Sequence, residues 1–208
     1  MDPAYLRTHR GGAGLASRPK VDDNRSMTRS APWELRRATG TDAAAVAAMH
    51  VQAWQTAYRV IIPEAFLDGL DVEARASRYA FDRSGPGDPE TWIAVAGGDV
   101  VGMVNVSPSR DEDLPRLGEV RALYVAPARW RSGTGSALMA RAERLLTDAG
   151  FTEAFLWVLE DNARGRRFYE SGGWEADGRV KTVEIGGREL VEVRYRKTLT
   201  GHAPDPEG

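Results

Sequence analysis

The run Glu119-Val120-Arg121-Ala122-Leu123-Tyr124-Val125-Ala126-Pro127-Ala128-Arg129-Trp130-Arg131-Ser132-Gly133-Thr134-Gly135-Ser136-Ala137-Leu138 changes character twice along its length. Residues 119–125 form a short, apolar-rich segment of strand length, and Pro127 ends it because proline cannot donate to a central ladder. After the glycine turn, Leu138, Met139, Ala142, Leu145 and Leu146 recur at helical spacing up to Gly150, a residue that accepts the positive φ of a helix end. The order is therefore strand, glycine-rich turn, helix start. Unpaired amides and the positive end of the helix dipole converge there, and glycine removes the side chain that would keep an anion away. Arg131, Ser132, Gly133, Thr134, Gly135 and Ser136 form a candidate anion site. The plainer use of the same residues is a helix start whose backbone angles demand glycine. A triphosphate loop would need a longer glycine spacing followed by Lys and Ser or Thr, and a dinucleotide fold would need a third glycine and an acidic residue on the next strand.

The flanking sequence alternates strand and helix patterns. Residues 34–38 are a strand candidate, and Thr39 to Asp42 supply the capping residues expected before an apolar-periodic helix at 43–58. Pro63 and residues 64–81 suggest a second helix with a break near Gly69, burying Phe66, Leu67, Leu70 and Tyr79. Residues 92–96 and 100–106 form a hairpin across Gly97, Gly98 and Asp99, and 110–116 is a charged loop. Beyond the central helix come a buried strand at 155–159 and a short helix at 163–170 closed by Gly172 and Gly173. Last is a hairpin in which Val191, Val193 and Tyr195 alternate with Glu192, Arg194 and Arg196.

At 208 residues, 42% hydrophobic and 28% charged, the chain has material for one full core and reads as one domain at 31–200. A net charge of −2 gives no basic field for nucleic acid. With no cysteine there is no disulfide, no thiolate metal site and no acyl-cysteine route. No apolar run approaches the ~20 residues that span a bilayer, so the expectation is a cytoplasmic protein without a membrane partner. Residues 1–30, rich in Arg, Gly, Ser and Asp, and the polar tail 201–208 are expected to be disordered, with Met27 a candidate natural start. His50, without a second histidine or paired carboxylate, suggests no metal site.

The segment 119–138 and the later Asn162-Ala163-Arg164-Gly165-Arg166-Arg167-Phe168-Tyr169-Glu170-Ser171-Gly172-Gly173-Trp174 together resemble the two acetyl-CoA motifs of the GNAT (GCN5-related) N-acetyltransferase superfamily, over roughly residues 33–199. One departure is Trp130, which stands where the family pattern has Arg or Gln, with Arg129 and Arg131 beside it. The resemblance implies an α/β (α+β) fold with a mixed, mostly antiparallel twisted sheet flanked by about four helices, and acetyl-CoA as cosubstrate. It also implies that the backbone of Leu123 and Val125 pairs with the pantetheine arm, that the turn at Arg131 to Ser136 holds the pyrophosphate, and that Asn162 bonds the arm. Tyr169 would protonate the departing thiolate, and Glu119 would relay the proton of the attacking amine, commonly through water. A phenol with pKa ~10 is protonated at neutral pH, which suits the first role.

The activity so implied is transfer of acetyl to a primary amine by direct attack in a ternary complex, and the alternative is a non-catalytic acyl-CoA sensor of the same fold. The acceptor stays open among small amine, antibiotic, polyamine and peptide N-terminus, as do an oxygen nucleophile, a longer acyl group and a homodimer. Gln52, Trp54, Gln55 and Tyr58 fall where the superfamily shapes its acceptor pocket, and the acidic loop Asp111-Glu112-Asp113 is a candidate attractor for a cationic acceptor.

Overall fold

The computed structural model describes residues 33–83, 85 and 87–199; the extension at 1–30 and the tail at 201–208 lie outside them. Along the chain come β1 (Glu34–Arg37), α1 (Ala43–Ala57), α2 (Glu64–Asp68), α3 (Val72–Ala76), β2 (Glu90–Ala96) and β3 (Asp99–Pro108). Then follow β4 (Gly118–Val125), α4 (Thr134–Asp148), β5 (Glu153–Leu159), α5 (Ala163–Ser171), β6 (Glu175–Ile185) and β7 (Arg188–Thr198). The strands make one sheet in the order β1-β2-β3-β4-β5-β7-β6. Its neighbouring pairs are antiparallel except β4 with β5, which run parallel.

Helices cover both faces. Leu138, Met139, Ala142 and Leu146 of α4 pack with Ala94, Val104, Val120 and Leu156. Val46, Met49 and Ala53 of α1 pack with Ile93 and Met103. Ile93 and Met103 alternate with Ala94 and Val104 on the same strands, so α1 and α4 must lie on opposite sides of the sheet. A further cluster joins Trp54, Tyr58, Ile62 and Leu67 to Leu159, Val183 and Ile185, closing the β5–β7 half.

The entry to α1 rests on one carboxylate. Asp42 accepts hydrogen bonds from the Thr39 amide at 2.8 Å and from both terminal nitrogens of Arg36 at 2.8 and 2.7 Å. The Arg36 guanidinium holds the Asp42 carboxyl far below the usual carboxylate range. A depressed folded-state pKa adds stability above the unfolded value of ~4, and that stability is lost as pH falls through the folded value. Asp42→Asn should therefore cost about 1–2 kcal/mol at neutral pH, allowing for the water around Arg36, and the gap to the parent should shrink below about pH 4. Thermal melts across pH check this; a gap constant down to pH 3 would contradict it.

The fold matches the expected mixed, mostly antiparallel sheet flanked by helices, with five α-helices among the described residues. The helix expected at 64–81 divides after Asp68, where Gly69 ends α2 and the Asp71 carboxylate accepts from the Ala74 amide to start α3, and the chain leaves the helix after Ala76. The final hairpin is longer than its sequence suggests, because β6 runs back to Glu175. No helix among the described residues is long and apolar enough to cross a membrane.

Candidate active site

The parallel pair is brief. β4 meets β5 only at Gly118 with Ala154 and Glu119 with Phe155, after which the strands diverge. On its other edge β4 stays paired with β3, and the ladder continues to Ala126, whose amide donates to the Val101 carbonyl at 2.9 Å. Backbone groups on an antiparallel strand alternate in the edge they face. With Ala126 and Tyr124 turned toward β3, the N–H and C=O of Leu123 and the N–H of Val125 turn into the opening beside β5, and the Val125 carbonyl on that side is taken by Trp130. Arg121 is the extra residue of a bulge, since Val120 pairs with Val106 and Ala122 with Asn105. Such a bulge bends the strand where the sheet splits.

The opening is a cleft of about 700 Å³. Leu123 and Val125 form one wall, the turn with Arg131, Gly133, Gly135 and Ser136 one end, and Asn162 and Tyr169 the facing side. Gly133 has φ +85° and is the residue from which α4 starts, a conformation that costs glycine little. A Cβ on Gly135 would sit 3.4 Å from the Phe168 ring and 3.6 Å from a Val125 methyl, so its absence keeps the floor of the cleft open. Ser132 and Thr134 shape the turn: the Ser132 hydroxyl donates to the Arg129 carbonyl at 2.6 Å and lies 2.8 Å from that of Thr134, which is fully buried. Asn162 caps α5, its Oδ1 accepting from the Gly165 amide at 2.9 Å, which leaves its NH₂ as the donor available to a ligand.

Positive charge gathers at the same end. Arg129, Arg131, Arg164 and Arg167 line the cleft, and Arg164 stacks 3.4 Å over the Trp130 ring. Trp130 Nε1 donates to the Val125 carbonyl at 2.9 Å. Trp130 thus acts as a fixed platform, positioning an arginine from another helix and holding the strand end. Helix-start amides, a glycine floor and four guanidiniums suit phosphate groups, and an exposed strand edge suits an arm that carries amides. The donor set fits coenzyme A.

Tyr169 projects into the cleft from α5 with its ring against Phe168, Trp174 and Tyr195. Burial, with Tyr124 nearby, pushes its phenol well above the ordinary tyrosine range, so it stays protonated and able to donate. Tyr58, also in the wall, is raised by burial as well.

Glu119 is not brought to these residues. Its carboxylate is buried and accepts from Arg110 through Nε at 3.0 Å, Nη2 at 2.6 Å and the backbone amide at 3.3 Å, and it lines neither the cleft nor the neighbouring pocket. With its lone pairs so engaged it anchors the 110–116 loop to the sheet. Glu119→Gln should cost about 1–3 kcal/mol of stability and leave the pH profile of turnover unchanged in shape. A defect in turnover that shrinks as pH rises would instead mark a proton relay. Two acids of the loop beside it are paired as well, Asp111 with Arg194 at 3.2 Å and Asp113 with Arg179.

On the far side of Tyr124 lies a second, smaller pocket of about 210 Å³, reached by His50, Trp54 and Tyr79. The His50 ring stacks on Tyr124 with centroids 4.0 Å apart, and its Nδ1 lies 2.6 Å from the Tyr79 hydroxyl. Sequence periodicity places Trp54, Tyr58 and Tyr79 as apolar positions and offers no signal that His50, 29 residues away, meets Tyr79.

A split parallel pair, an exposed strand edge and a glycine turn opening a helix meet at one cleft of an α/β fold. The sequence pattern of the acetyltransferase (GNAT) family matches residues 51–174. The chain belongs to that family. It is similar to the uncharacterized N-acetyltransferase YuaI of Bacillus subtilis (strain 168), 34% identical over 160 residues that cover 76% of this chain and 89% of that one. It is also similar to the probable N-acetyltransferase Rv2775 of Mycobacterium tuberculosis, 32% identical over 164 residues, 78% of this chain and 91% of that one. Among solved structures, the fold is shared with yncA of Salmonella typhimurium, a putative acetyltransferase with its cofactor acetyl-CoA. The TM-score is 0.62 at 20% identity, covering 85% and 99% of the two chains. It is shared too with the PaiA N-acetyltransferase of Thermoplasma acidophilum in complex with coenzyme A, at TM-score 0.61 and 18% identity over 80% and 98%.

Proposed function

We propose that the protein transfers acetyl from acetyl-CoA to a primary amine by direct attack, with both substrates bound at once. The observation that carries this is the single opening at which four kinds of group meet: the outward backbone of Leu123 and Val125, the Gly133–Gly135 helix start, the Asn162 amide and the protonated Tyr169. The bound thioester supplies an activated acetyl carbonyl. Leu123 and Val125 hold the pantetheine arm as an added strand would, the turn amides with Arg129 and Arg131 take the pyrophosphate, and Arg164 and Arg167 add positive charge for the remaining phosphate. The amine nitrogen bonds to the acetyl carbon, the C–S bond breaks, the sulfur takes its proton from Tyr169, the amine sheds one to water, and water returns a proton to the Tyr169 oxygen.

Direct attack is supported by the absence of cysteine from the chain. The intact mass of protein incubated with acetyl-CoA and no acceptor should stay that of the unmodified chain. A stoichiometric acetyl adduct on one residue, discharged when amine is added, would overturn direct attack in favour of a covalent route.

A further inference from the structure

The register of β4 and β5 fixes which side chains stand across from each other where the sheet opens. Its last pair is Glu119 with Phe155, so Arg121 and Ala122 stand opposite Trp157 just inside the split. To the cleft lining β5 contributes Trp157 and Val158, and across from them Ala122 offers only a methyl group. The room at this end of the cleft therefore depends on the indole. That indole is held. Trp157 pairs in register with Arg194 of β7, whose guanidinium carbon lies 5.5 Å from the ring centroid, and the Lys181 ammonium of β6 lies 4.1 Å from it. Each cation is anchored in turn. Buried Arg194 donates to Asp177 at 2.8 Å and to Asp111 at 3.2 Å, and Lys181 lies 3.3 Å from the buried Glu192 carboxylate. Cations on a ring and a cross-strand partner together restrict its rotamers, so Trp157 is a wall with little freedom to swing aside.

We infer that Trp157 sets the length of acyl group that the protein accepts, limiting the donor to thioesters of short chains such as acetyl and propionyl. The inference rests on the coenzyme reading of the cleft proposed above and narrows its donor. With the phosphates at the turn 131–136, beyond the C-terminal end of β4, the arm runs back along Val125 and Leu123 and brings the thioester to the level of Arg121 and Ala122. Past that level the ladder closes at Glu119 and Phe155 and leaves no gap between the strands, so an acyl chain has to turn out of the sheet. Phe155, Trp157 and Leu159 alternate with Leu156 and Val158 along β5. Leu156 and Val158 pack toward α4 and Leu159 toward Trp54 and Tyr58, so the indole projects to the α1 face, where Ala53, Ala57 and Tyr58 bound the cleft. A two-carbon acyl group asks least of the space between them. Each added methylene presses on an indole that can yield only by breaking the contacts described above, and overpacking of that kind is unfavourable.

Binding of CoA, acetyl-CoA and hexanoyl-CoA by calorimetry, with no amine present, tests this without any turnover. In the parent the Kd for hexanoyl-CoA should exceed that for acetyl-CoA roughly tenfold or more. Trp157→Ala should bring that ratio close to one while the affinity for free CoA changes by less than about threefold. Trp157→Leu, which keeps a branched apolar group at the half-buried position, should fall between the two and serves if the alanine variant does not fold, as judged by a thermal melt. A ring that only packs would weaken both thioesters alike and leave the ratio in place. Equal affinity of the parent for the two thioesters, or a ratio unchanged in the folded variants, would overturn the inference and leave the coenzyme reading intact. A parent that binds no CoA would overturn the coenzyme reading, and the inference with it.

Discussion

Tyr169→Phe is expected to lower turnover roughly 10 to 10³-fold while leaving coenzyme A affinity near that of the parent. The ring lies edge-on to Phe168 and Trp174 and beside Tyr195, and phenylalanine keeps those contacts. What goes is the phenolic proton that the proposed mechanism gives to sulfur. Because burial raises the phenol well above its ordinary pKa, the parent donor stays protonated through neutral and mildly alkaline pH, and the defect should be flat across that range. Thiolate is a fairly good leaving group, with pKa ~8.5, and water can replace the donor in part, so residual activity is expected. Near-normal turnover in the variant, with the chemical step rate-limiting, would mean that Tyr169 only packs.

Gly135→Asp should weaken coenzyme A binding tenfold or more, at least ~1.4 kcal/mol. Two effects act together. The new Cβ meets the Phe168 ring at 3.4 Å and narrows the cleft floor, and the carboxylate stands where helix amides and arginines would otherwise face phosphate. An acid in the first turn of α4 favours the helix dipole, so folding should be preserved or slightly improved. Weak binding at an unchanged melting temperature is the expected pair of results from calorimetry and a thermal melt. A folded variant that binds coenzyme A normally would remove the turn from the site.

Local chemistry made much of this site legible in sequence. Pro127, the glycine pair and the apolar period after Ser136 are each a local signal, and each corresponds to an observed boundary. What stayed hidden depends on contacts between distant segments. Nothing in residues 175–182 alternates, because that part of β6 is a polar, exposed edge strand with a register shift near Gly178. The commitment of Glu119 to Arg110 depends on how the intervening loop folds back, so a carboxylate at a strand start looks the same in sequence whether it is free or paired. The smaller pocket joins residues 75, 78 and 83 to residue 121 across the sheet, and no window of sequence contains them together. Trp130 breaks the expected pattern of the turn, yet its role becomes plain only when Arg164 of α5 lies over its ring.

If acetyl moves from coenzyme A to an amine nitrogen in the cleft between β4 and β5, thiol and acetylated amine must form together. The most direct test follows free thiol and N-acetylated product together, by mass spectrometry, in one reaction of protein, acetyl-CoA and an amine panel. The two should appear in equal amounts, both should depend on the amine, and both should fall together in Tyr169→Phe. Tight coenzyme A binding with neither product would show a binding module instead, and thiol released without acetylated amine would show hydrolysis; either result would contradict that transfer.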